Sequence, residues 1–350
     1  MNKINTAILF GGNSPEYSVS LQSAYAIIRA LDDSRYVKIL IGITKDGAWF
    51  RYYGDIDNIP NDTWHMESSK CTPISINPDP KLHGIIELNA DGYKFTNLDA
   101  AFPVLHGKYG EDGTVQGLFE LSGIPIIGCG TLSSALCMDK NRAHQLVSKT
   151  GITTPKAIVL SEAISEQKLY KLTKKLRYPL FVKPVKAGSS FGITKVLREE
   201  QLYSAMNMAF QYDDEVIIEE NIEGCEVGCA ILGNQKLIIG EVDEIELFDG
   251  FFDYNEKYTL ETSKIHMPAR IDTEIANRIK KTAVLIYKTL GCKGFARVDM
   301  FLTPDKKIVF NEVNTIPGFT SHSRYPNMMK GIGLSFSEVL DILIELGTKV

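Results

Sequence analysis

Two short segments near the C-terminus place four polar side chains inside what otherwise looks like an apolar hairpin. Successive side chains along a strand point to opposite faces of a sheet. Arg297 and Asp299 therefore share one face of the first strand. Glu312 and Asn314 share one face of the second. The two segments are GFARVDMF, Gly294 to Phe301, and IVFNEVNTIPGF, Ile308 to Phe319.

If residues 303–307 close this hairpin, the four polar groups meet on one sheet. Two carboxylates held side by side repel each other unless a proton or a cation lies between them. Oxygen ligands such as Asp299, Glu312 and the amide of Asn314 suit magnesium or manganese that bridges nucleotide phosphates. Arg297 beside them would stabilise an anion that develops during a reaction.

Length and composition limit the classes of protein to which the chain can belong. Its 350 residues exceed one compact core and predict two or three domains. The 44% hydrophobic and 23% charged residues are typical of a soluble protein. The 38 basic and 43 acidic residues form no basic cluster along a helix, which argues against nucleic acid as a partner. The first apolar run is too short for a signal peptide or a membrane span, so we expect a cytoplasmic protein without membrane contact.

The cysteines and histidines do not follow the spacing of a metal site. The six cysteines include no CxxC pair and no matching histidine array, so we expect neither zinc nor a disulfide framework. Cys225 and Cys229 are four residues apart, and we predict that they are small buried residues of a strand.

The first part of the chain predicts an α/β unit of Rossmann-like type. Its pattern is a strand over residues 6–10, a helix over 18–31 and strands over 37–43, 100–105 and 124–127. The first turn, GGNSPE, lacks GxGxxG spacing, so a dinucleotide site is not expected. Open α/β sheets bind ligands beyond the carboxyl ends of their strands. Glu16 and His106 fall there and are candidates for holding a small substrate, although a locally satisfied loop histidine explains His106 equally well.

The middle of the chain predicts a second unit of short strands. They lie over residues 180–183, 193–197 and 216–219, after a helix over 138–150. In KPVKAGSSFG, Lys183 ends a strand, and the hydroxyls of Ser189 and Ser190 can close over a phosphate together with backbone N–H groups. The spacing is not that of a Walker A loop. Such a turn taken alone is more often only a turn.

The last part of the chain combines the polar hairpin with the long loop DGFFDYNEKYTLET, residues 249–262. A loop that is rich in aromatic and charged residues is more often functional than not when it lies within a domain. An amphipathic helix over residues 335–346 closes the chain.

Taken together, six strings of residues resemble the D-alanine:D-alanine ligase family of the ATP-grasp superfamily. Their order and spacing over some three hundred residues carry the resemblance, since no single string is decisive. It implies an α/β protein with an ATP-grasp fold and an N-terminal Rossmann-like domain, divided into residues 1–136, 137–224 and 225–350. The strings are GGNSPEYSVSL, HGKYGEDGT, MDKNRAH, KPVKAGSSFGITKV, FDYNEKY and NEVNTIPGFTSHS.

The resemblance implies an ATP site between the central and C-terminal domains. Asp299, Glu312 and Asn314 would hold two magnesium ions there, in agreement with the strand-face argument. The residues that match the ATP contacts are Lys140, Lys183, Ser189 and Ser190 for the phosphates, Glu219 for the adenine amine, the backbone of Glu220 and Ile222 for the adenine, and Glu226 for the ribose.

The implied reaction activates D-alanine as an acylphosphate, from which the amine of a second D-amino acid displaces phosphate. Arg297 and the backbone N–H of Gly318 match groups that stabilise the oxyanion. The family also implies a homodimer and a place in cell-wall precursor synthesis. The residues that match substrate contacts are His106, Glu16 with Ser189 and Tyr258 at the first ammonium, Lys257 over the second substrate, and Ser323 at its carboxylate.

Arg324 bears on the identity of the second substrate. The common ligases carry a leucine there, whereas SHSRYPNMM resembles the D-alanine:D-serine ligases of glycopeptide resistance, the VanG type above all. A guanidinium suits a hydroxymethyl group, and a site that binds a hydroxyl discriminates against the analogue without it. Lys257 and Tyr258 are retained where ester-forming relatives carry a histidine, which favours a peptide product. Ala187 stands where many members carry glutamate, so we expect no carboxylate role at that position.

Each assignment has a plainer alternative. Glu16 could cap the helix that follows it, Lys257 and Tyr258 could form an exposed loop tip, and Arg324 could be a surface arginine paired to an acid. The whole chain could be a D-alanine:D-alanine ligase of normal cell-wall synthesis, a non-catalytic nucleotide sensor, or an ATP-grasp enzyme that activates another carboxylate. The filled phosphate, metal and oxyanion positions argue against the sensor, and Glu16 and His106 argue against the third alternative.

Overall fold

The computed structural model describes residues 3–188, 191–247 and 263–349. Within these ranges the chain forms three β-sheets that follow one another along the sequence, with helices packed against them. In this described part, no helix is both long enough and apolar enough to cross a membrane.

The first sheet has seven strands and occupies the N-terminal part of the chain. Its elements are β1 (Ile4–Gly11), α1 (Tyr17–Ala30), β2 (Tyr36–Ile43), β3 (Trp49–Tyr52), β4 (Cys71–Ile76), β5 (Gly84–Asn89), β6 (Gly92–Asn97) and β7 (Ala100–Pro103). The strand order is β6-β5-β4-β3-β2-β1-β7, in which β1 is parallel to β2 and β7, and the strands from β3 to β6 add an antiparallel extension. The carboxyl ends of β1 and β7 therefore meet at one edge of the sheet.

The second sheet has four antiparallel strands and follows two short helices, α2 (Thr114–Leu121) and α3 (Thr131–Met138). Its elements are α4 (Lys140–Ser148), β8 (Ala157–Leu160), α5 (Glu166–Thr173), β9 (Leu180–Pro184), β10 (Thr194–Val196), α6 (Leu202–Ala209) and β11 (Val216–Glu220). The strand order is β10-β9-β11-β8. Asp139 fixes the start of α4, because its carboxylate accepts the backbone N–H of Arg142 at 2.8 Å.

The third sheet has five antiparallel strands in the order β14-β13-β12-β15-β16. Its elements are β12 (Cys225–Gly233), β13 (Leu237–Leu247), β14 (Ser263–His266), α7 (Thr273–Thr289), β15 (Phe295–Leu302) and β16 (Ile308–Asn314). Helix α7 covers one face of this sheet with Ile275, Ile279 and Ala283, which recur at helical spacing and are buried.

The C-terminal helices α8 (Arg324–Gly331) and α9 (Phe336–Thr348) pack into the core of the first sheet. Aromatic side chains from the N-terminal and C-terminal parts of the chain pack together there. Phe295 of β15 lies edge-on to Phe102 of β7 at 5.9 Å between ring centroids and to Phe319 at 5.7 Å. This shared core fixes the first and third sheets relative to each other.

Most of the predicted elements are confirmed within a few residues. The helices over 18–31 and 335–346, the hairpin, and the strands over 6–10, 37–43, 180–183, 193–197 and 216–219 are all present. Cys225 and Cys229 lie on β12 as expected, but only Cys229 is buried, whereas Cys225 is partly exposed. The predicted strand over 124–127 is wrong. Only Ile126 pairs, as an isolated bridge to Ala101, because the preceding proline has no N–H to offer a ladder.

Candidate active site

A cavity of about 2010 Å³ is lined by strands of the second and third sheets, by α1 and by the loops that follow β1 and β7. Every predicted site residue that the structure describes lines this cavity. Ser189, Ser190, Lys257 and Tyr258 lie outside the described residues. The lining residues among those predicted are Glu16, His106, Lys140, Lys183, Glu219, Glu220, Ile222, Glu226, Arg297, Asp299, Glu312, Asn314, Gly318, Ser323 and Arg324.

The polar hairpin of β15 and β16 forms one wall of the cavity. Its register pairs Arg297 with Asn314 and Asp299 with Glu312, as the alternation of side chains predicts. Arg297 donates from Nη2 to Asp299 Oδ2 at 2.7 Å, and from Nε to Oδ1 at 2.8 Å. Asn314 donates from Nδ2 to Asp299 Oδ2 at 2.8 Å. The Asp299 carboxylate is almost fully buried, and these donors replace the water that it loses.

The hairpin fits a divalent cation that also contacts phosphate. Asn314 donates through its nitrogen, which leaves its amide oxygen as a metal ligand. In residues 3–188, 191–247 and 263–349, no group of three or more His, Cys, Asp or Glu side chains is placed to hold a metal. A cation here would therefore depend on two carboxylates, one amide oxygen and oxygens from the nucleotide. Magnesium prefers this kind of coordination, in which the protein supplies few ligands and phosphate or water supplies several oxygens.

Lys183 and Glu219 form a buried ion pair between the neighbouring strands β9 and β11. The ammonium of Lys183 contacts one carboxylate oxygen of Glu219. The other oxygen, Oε2, is buried and has no hydrogen-bond partner within the described ranges. A buried acceptor without a donor is costly, and an amino group of a bound ligand would satisfy it. This orphaned oxygen fits the adenine amine of ATP.

Lys140 begins α4 and extends toward the hairpin. Its ammonium donates to the carbonyl oxygen of Ala187 at 2.8 Å, at the base of the glycine-serine loop. It also lies 3.7 Å from Glu312 Oε2. One lysine thus contacts both the loop and the hairpin, so a phosphate between them would meet positive charge.

Two glycines make room for the Glu16 carboxylate at the carboxyl edge of the first sheet. A Cβ at Gly107 would lie 2.5 Å from Glu16 Oε2, and a Cβ at Gly188 would lie 2.6 Å from it. Glu16 stands at the N-cap position of α1, but its side chain makes no capping hydrogen bond. The carboxylate points instead toward the cavity, so the capping alternative lacks support.

His106 follows β7 and lies beside Glu16 at the same edge. Its Nε2 is 3.5 Å from Ser23 Oγ. Burial lowers the pKa of His106 to about 4, so the ring is neutral at neutral pH. A neutral imidazole in the cavity wall can donate one hydrogen bond without adding charge.

Sequence reasoning missed Glu111, which joins the first sheet to the loop after β16. Its carboxylate accepts the N–H of Gly107 at 2.9 Å and the N–H of Ile316 at 3.1 Å. Burial, together with the nearby charge of Glu16, raises the pKa of Glu111 to about 8. The string HGKYGEDGT contains this residue, but nothing in the string shows that the carboxyl lies against Gly107 and Ile316.

Arg324 begins α8 and contacts three carboxylates. It donates from Nε and Nη2 to the two oxygens of Asp243 at 2.7 and 2.8 Å, and from Nη1 to Glu226 Oε1 at 3.0 Å. Nη1 also lies 3.5 Å from Asp299 Oδ1. Only 9% of Arg324 is exposed, so the alternative of a surface arginine is wrong. Asp243 was also missed, since a single acid inside a strand carries no sequence signal.

Gly318 and Ser323 lie side by side on the loop between β16 and α8. A Cβ at Gly318 would come within 3.1 Å of Ser323 Oγ. Ser323 Oγ accepts the backbone N–H of Thr320 at 3.0 Å. The loop therefore brings Gly318 and the hydroxyl of Ser323 to the same part of the cavity.

The hinge between the second and third sheets contributes the last part of the cavity. Glu220 and Ile222 lie at the end of β11 and just beyond it, and Glu226 lies on β12. The N–H of Glu220 donates to the carbonyl of Lys156 at 2.9 Å, so this N–H is already engaged within the protein.

Comparison with known proteins assigns this arrangement to a family. The family model described as D-ala D-ala ligase N-terminus matches residues 5–129, and the model described as D-ala D-ala ligase C-terminus matches residues 146–345. The crystal structure of the VanG D-Ala:D-Ser ligase from Enterococcus faecalis is 57% identical with a TM-score of 0.92, over 99% of each chain.

Two further relatives match nearly end to end. The vancomycin B-type resistance protein VanB of Enterococcus faecalis is 45% identical over 351 residues, which are 99% of each chain. A D-alanine–D-alanine ligase of Caldicellulosiruptor bescii is 43% identical over 351 residues, 99% of this chain and 95% of its own. The chain therefore belongs to the D-alanine:D-alanine ligase family and is an ATP-dependent ligase with the ATP-grasp fold.

Proposed function

We propose that this enzyme joins D-alanine to D-serine through a D-alanyl phosphate. The dipeptide would enter peptidoglycan precursors and confer vancomycin resistance, in line with the names of its relatives. The observation that carries the choice of D-serine is Arg324, a buried guanidinium in the cavity wall where the common ligases carry leucine.

In the first step a carboxylate oxygen of D-alanine attacks the γ-phosphorus of ATP, and ADP leaves. Lys140 and Lys183 would neutralise the charge that spreads over the phosphate oxygens. Asp299, Glu312 and Asn314 would hold the divalent cations, which we take to be two magnesium ions, or manganese in their place. When bound, such ions supply further charge neutralisation at the phosphates.

The second step forms the peptide bond. The amine of the second amino acid attacks the carbonyl carbon, a tetrahedral oxyanion forms, and inorganic phosphate leaves with the oxygen that joined it to D-alanine. Arg297 and the N–H of Gly318 would stabilise the oxyanion. The remaining substrate contacts would be Glu16 with Ser189 and Tyr258 for the first ammonium, His106 beside them, Lys257 over the second substrate and Ser323 for its carboxylate.

The nucleotide would lie across the hinge. The orphaned oxygen of Glu219 supports a contact with the adenine amine, because it lacks a donor within the described ranges. The other contacts would come from the backbone of Glu220 and Ile222 to the adenine, from Glu226 to the ribose, and from Ser189 and Ser190 to the phosphates.

The geometry of Arg324 supports a polar second substrate. A guanidinium has five N–H groups, and its hydrogen bonds to Asp243 and Glu226 engage one each on Nε, Nη1 and Nη2. One N–H on each terminal nitrogen therefore remains, and Nη1 also lies 3.5 Å from Asp299 Oδ1. Because Asp243 fixes the plane of the guanidinium, its orientation is set before a substrate arrives. A pre-oriented donor can form a hydrogen bond with the hydroxyl of D-serine, whereas the methyl of D-alanine cannot accept one.

The main alternative is a D-alanine:D-alanine ligase of normal cell-wall synthesis. One relative at 43% identity has this name, and another at 57% is a D-Ala:D-Ser ligase. Overall sequence identity therefore does not distinguish D-serine from D-alanine as the second substrate. We choose D-serine because of Arg324. A nucleotide sensor is a weaker candidate, because all fifteen described positions of the predicted site line one cavity.

We also propose a homodimer in the cytoplasm, where ATP is available. For the domains we propose residues 1–136, 137–224 and 225–350. The three sheets support these boundaries, since each range contains one of them.

The decisive experiment supplies purified enzyme with ATP, magnesium, D-alanine and an equal concentration of D-serine. Chromatography then separates the two dipeptides. We expect D-alanyl-D-serine to exceed D-alanyl-D-alanine at neutral pH. A product that is mainly D-alanyl-D-alanine would support the alternative. The absence of D-alanine-dependent ADP release would leave the nucleotide sensor or an ATP-grasp enzyme that activates another carboxylate.

A further inference from the structure

His144 connects the helix that carries Lys140 to the strand that carries Glu312. It lies four residues after Lys140 on α4, so the two side chains emerge on the same face of the helix. His144 Nε2 is 2.7 Å from the carbonyl oxygen of Asn311, the residue before Glu312 on β16. One hydrogen bond thus joins α4 to β16, next to the contact between Lys140 and Glu312.

The surroundings of His144 fix its protonation. A carbonyl oxygen can only accept a hydrogen bond, so Nε2 must carry the proton that it donates to Asn311. Nδ1 is buried and has no hydrogen-bond partner within the described ranges. Burial lowers the pKa of His144, so the ring stays neutral. The ring packs edge-on against Phe310, at 5.4 Å between centroids, which holds its plane.

We propose that His144 is a positioning residue for phosphoryl transfer, which sets the separation of Lys140 and Glu312 through its hydrogen bond to Asn311. The inference rests on the proposed function, from which Lys140 and Glu312 take their roles. Their mutual contact, at 3.7 Å, weakens once one binds phosphate and the other binds a cation. The bond from His144 to Asn311 does not involve either ligand and remains in place.

Two substitutions separate this role from simple packing. In H144Q the side-chain amide nitrogen reaches the position of Nε2 and can still donate to Asn311. In H144N the amide nitrogen reaches only the position of Nδ1, and the bond is lost. Both variants replace the ring by an amide, so loss of the contact with Phe310 is common to them.

The readouts are the affinity for ADP with magnesium, measured by calorimetry, and the KM values for ATP and D-alanine. We expect H144N to weaken ADP–magnesium binding and to raise the KM for ATP by about three- to tenfold, the range for one lost hydrogen bond. H144Q should stay within about twofold of the wild type, and the KM for the first D-alanine should stay within about twofold in both variants.

All assays are run well below the melting temperature of each variant, so that a difference in stability does not enter. If the wild type is active and H144N and H144Q have equal affinities for ADP and equal KM values for ATP, the inference is overturned. If H144N does not fold, an H144Q variant that binds ADP several-fold more weakly than the wild type would overturn it equally. A wild type without D-alanine-dependent ADP release would overturn the proposed function, and this inference with it.

Discussion

Arg324 binds Asp243 through two parallel hydrogen bonds, from Nε to Oδ2 at 2.7 Å and from Nη2 to Oδ1 at 2.8 Å. This fork geometry is the strongest that an arginine makes with a carboxylate. Gly228 on the neighbouring strand makes room for it, because a Cβ there would lie 2.4 Å from Arg324 Nη2. The guanidinium therefore has one orientation at the cavity wall.

Replacement of Arg324 by leucine should change the preference for the second substrate. We expect the ratio of kcat/KM for D-serine to kcat/KM for D-alanine to fall at least tenfold, since about 1.4 kcal/mol of discrimination corresponds to one lost hydrogen bond. Steady-state kinetics with each amino acid as second substrate measures the ratio. R278L, the same change on the exposed side of α7, serves as the control and should leave the ratio unchanged. A retained D-serine preference in R324L would remove the assigned role of Arg324.

The same substitution should also destabilise the fold. R324L leaves the buried carboxylate of Asp243 without its cation, and the loss of one partner of a buried ion pair typically costs about 3 to 5 kcal/mol. Urea denaturation measures the change. The double variant D243N/R324L removes the unpaired charge and should recover about 1 kcal/mol or more of that loss. A double variant less stable than R324L would mean that Asp243 is satisfied by other groups.

Gly188 tests the placement of Glu16. A Cβ at this position would lie 2.6 Å from Glu16 Oε2, so G188A must displace the end of that flexible side chain. We expect the KM for the first D-alanine to rise about tenfold, with little change in the melting temperature. G117A is the matched control, because a Cβ there meets its nearest atom at 3.6 Å, an ordinary contact. Equal KM values for the two variants would contradict an anchoring role for Glu16.

Glu111 should make the stability of the fold depend on pH. Its pKa is raised from 4.5 to about 8 in the folded chain, chiefly by burial and next by Glu16. Between these values the folded state keeps a proton that the unfolded chain has released, so this group lowers stability as the pH rises through the window. E111Q cannot release a proton there. Urea midpoints at pH 5 and pH 8 should therefore differ less in E111Q than in the wild type, and an equal difference would contradict the raised pKa.

The sequence predicted the elements whose patterns are local. The alternation in GFARVDMF and IVFNEVN predicts both the strands and the face on which Asp299 and Glu312 meet, and the register confirms it. Strands β3 to β6 were not predicted. Most residues of β4 and β6 are exposed or partly exposed and carry no clear period. The strand over 124–127 was predicted from an apolar run, and the proline within it limits pairing to one bridge.

The electrostatics of the site depended on packing that no local pattern encodes. Glu111 belongs to a string that was noticed, but its high pKa arises chiefly from burial and next from Glu16, which is ninety-five residues away. Arg324 was predicted to face the cavity, whereas its contacts with Asp243 and Glu226 require β12 and β13 to lie beside α8. Residue type gave the candidate, and tertiary contacts gave its orientation and its partners.

The fate of the carboxylate oxygens of D-alanine tests the central claim most directly. D-Alanine labelled with ¹⁸O in its carboxylate is incubated with enzyme, ATP, magnesium and D-serine, and the inorganic phosphate is analysed by mass spectrometry. Because the amine displaces phosphate from an acylphosphate, we predict one ¹⁸O atom in each phosphate released. Dipeptide formation with no ¹⁸O in the phosphate would contradict activation through D-alanyl phosphate, and with it the role that we assign to this cavity.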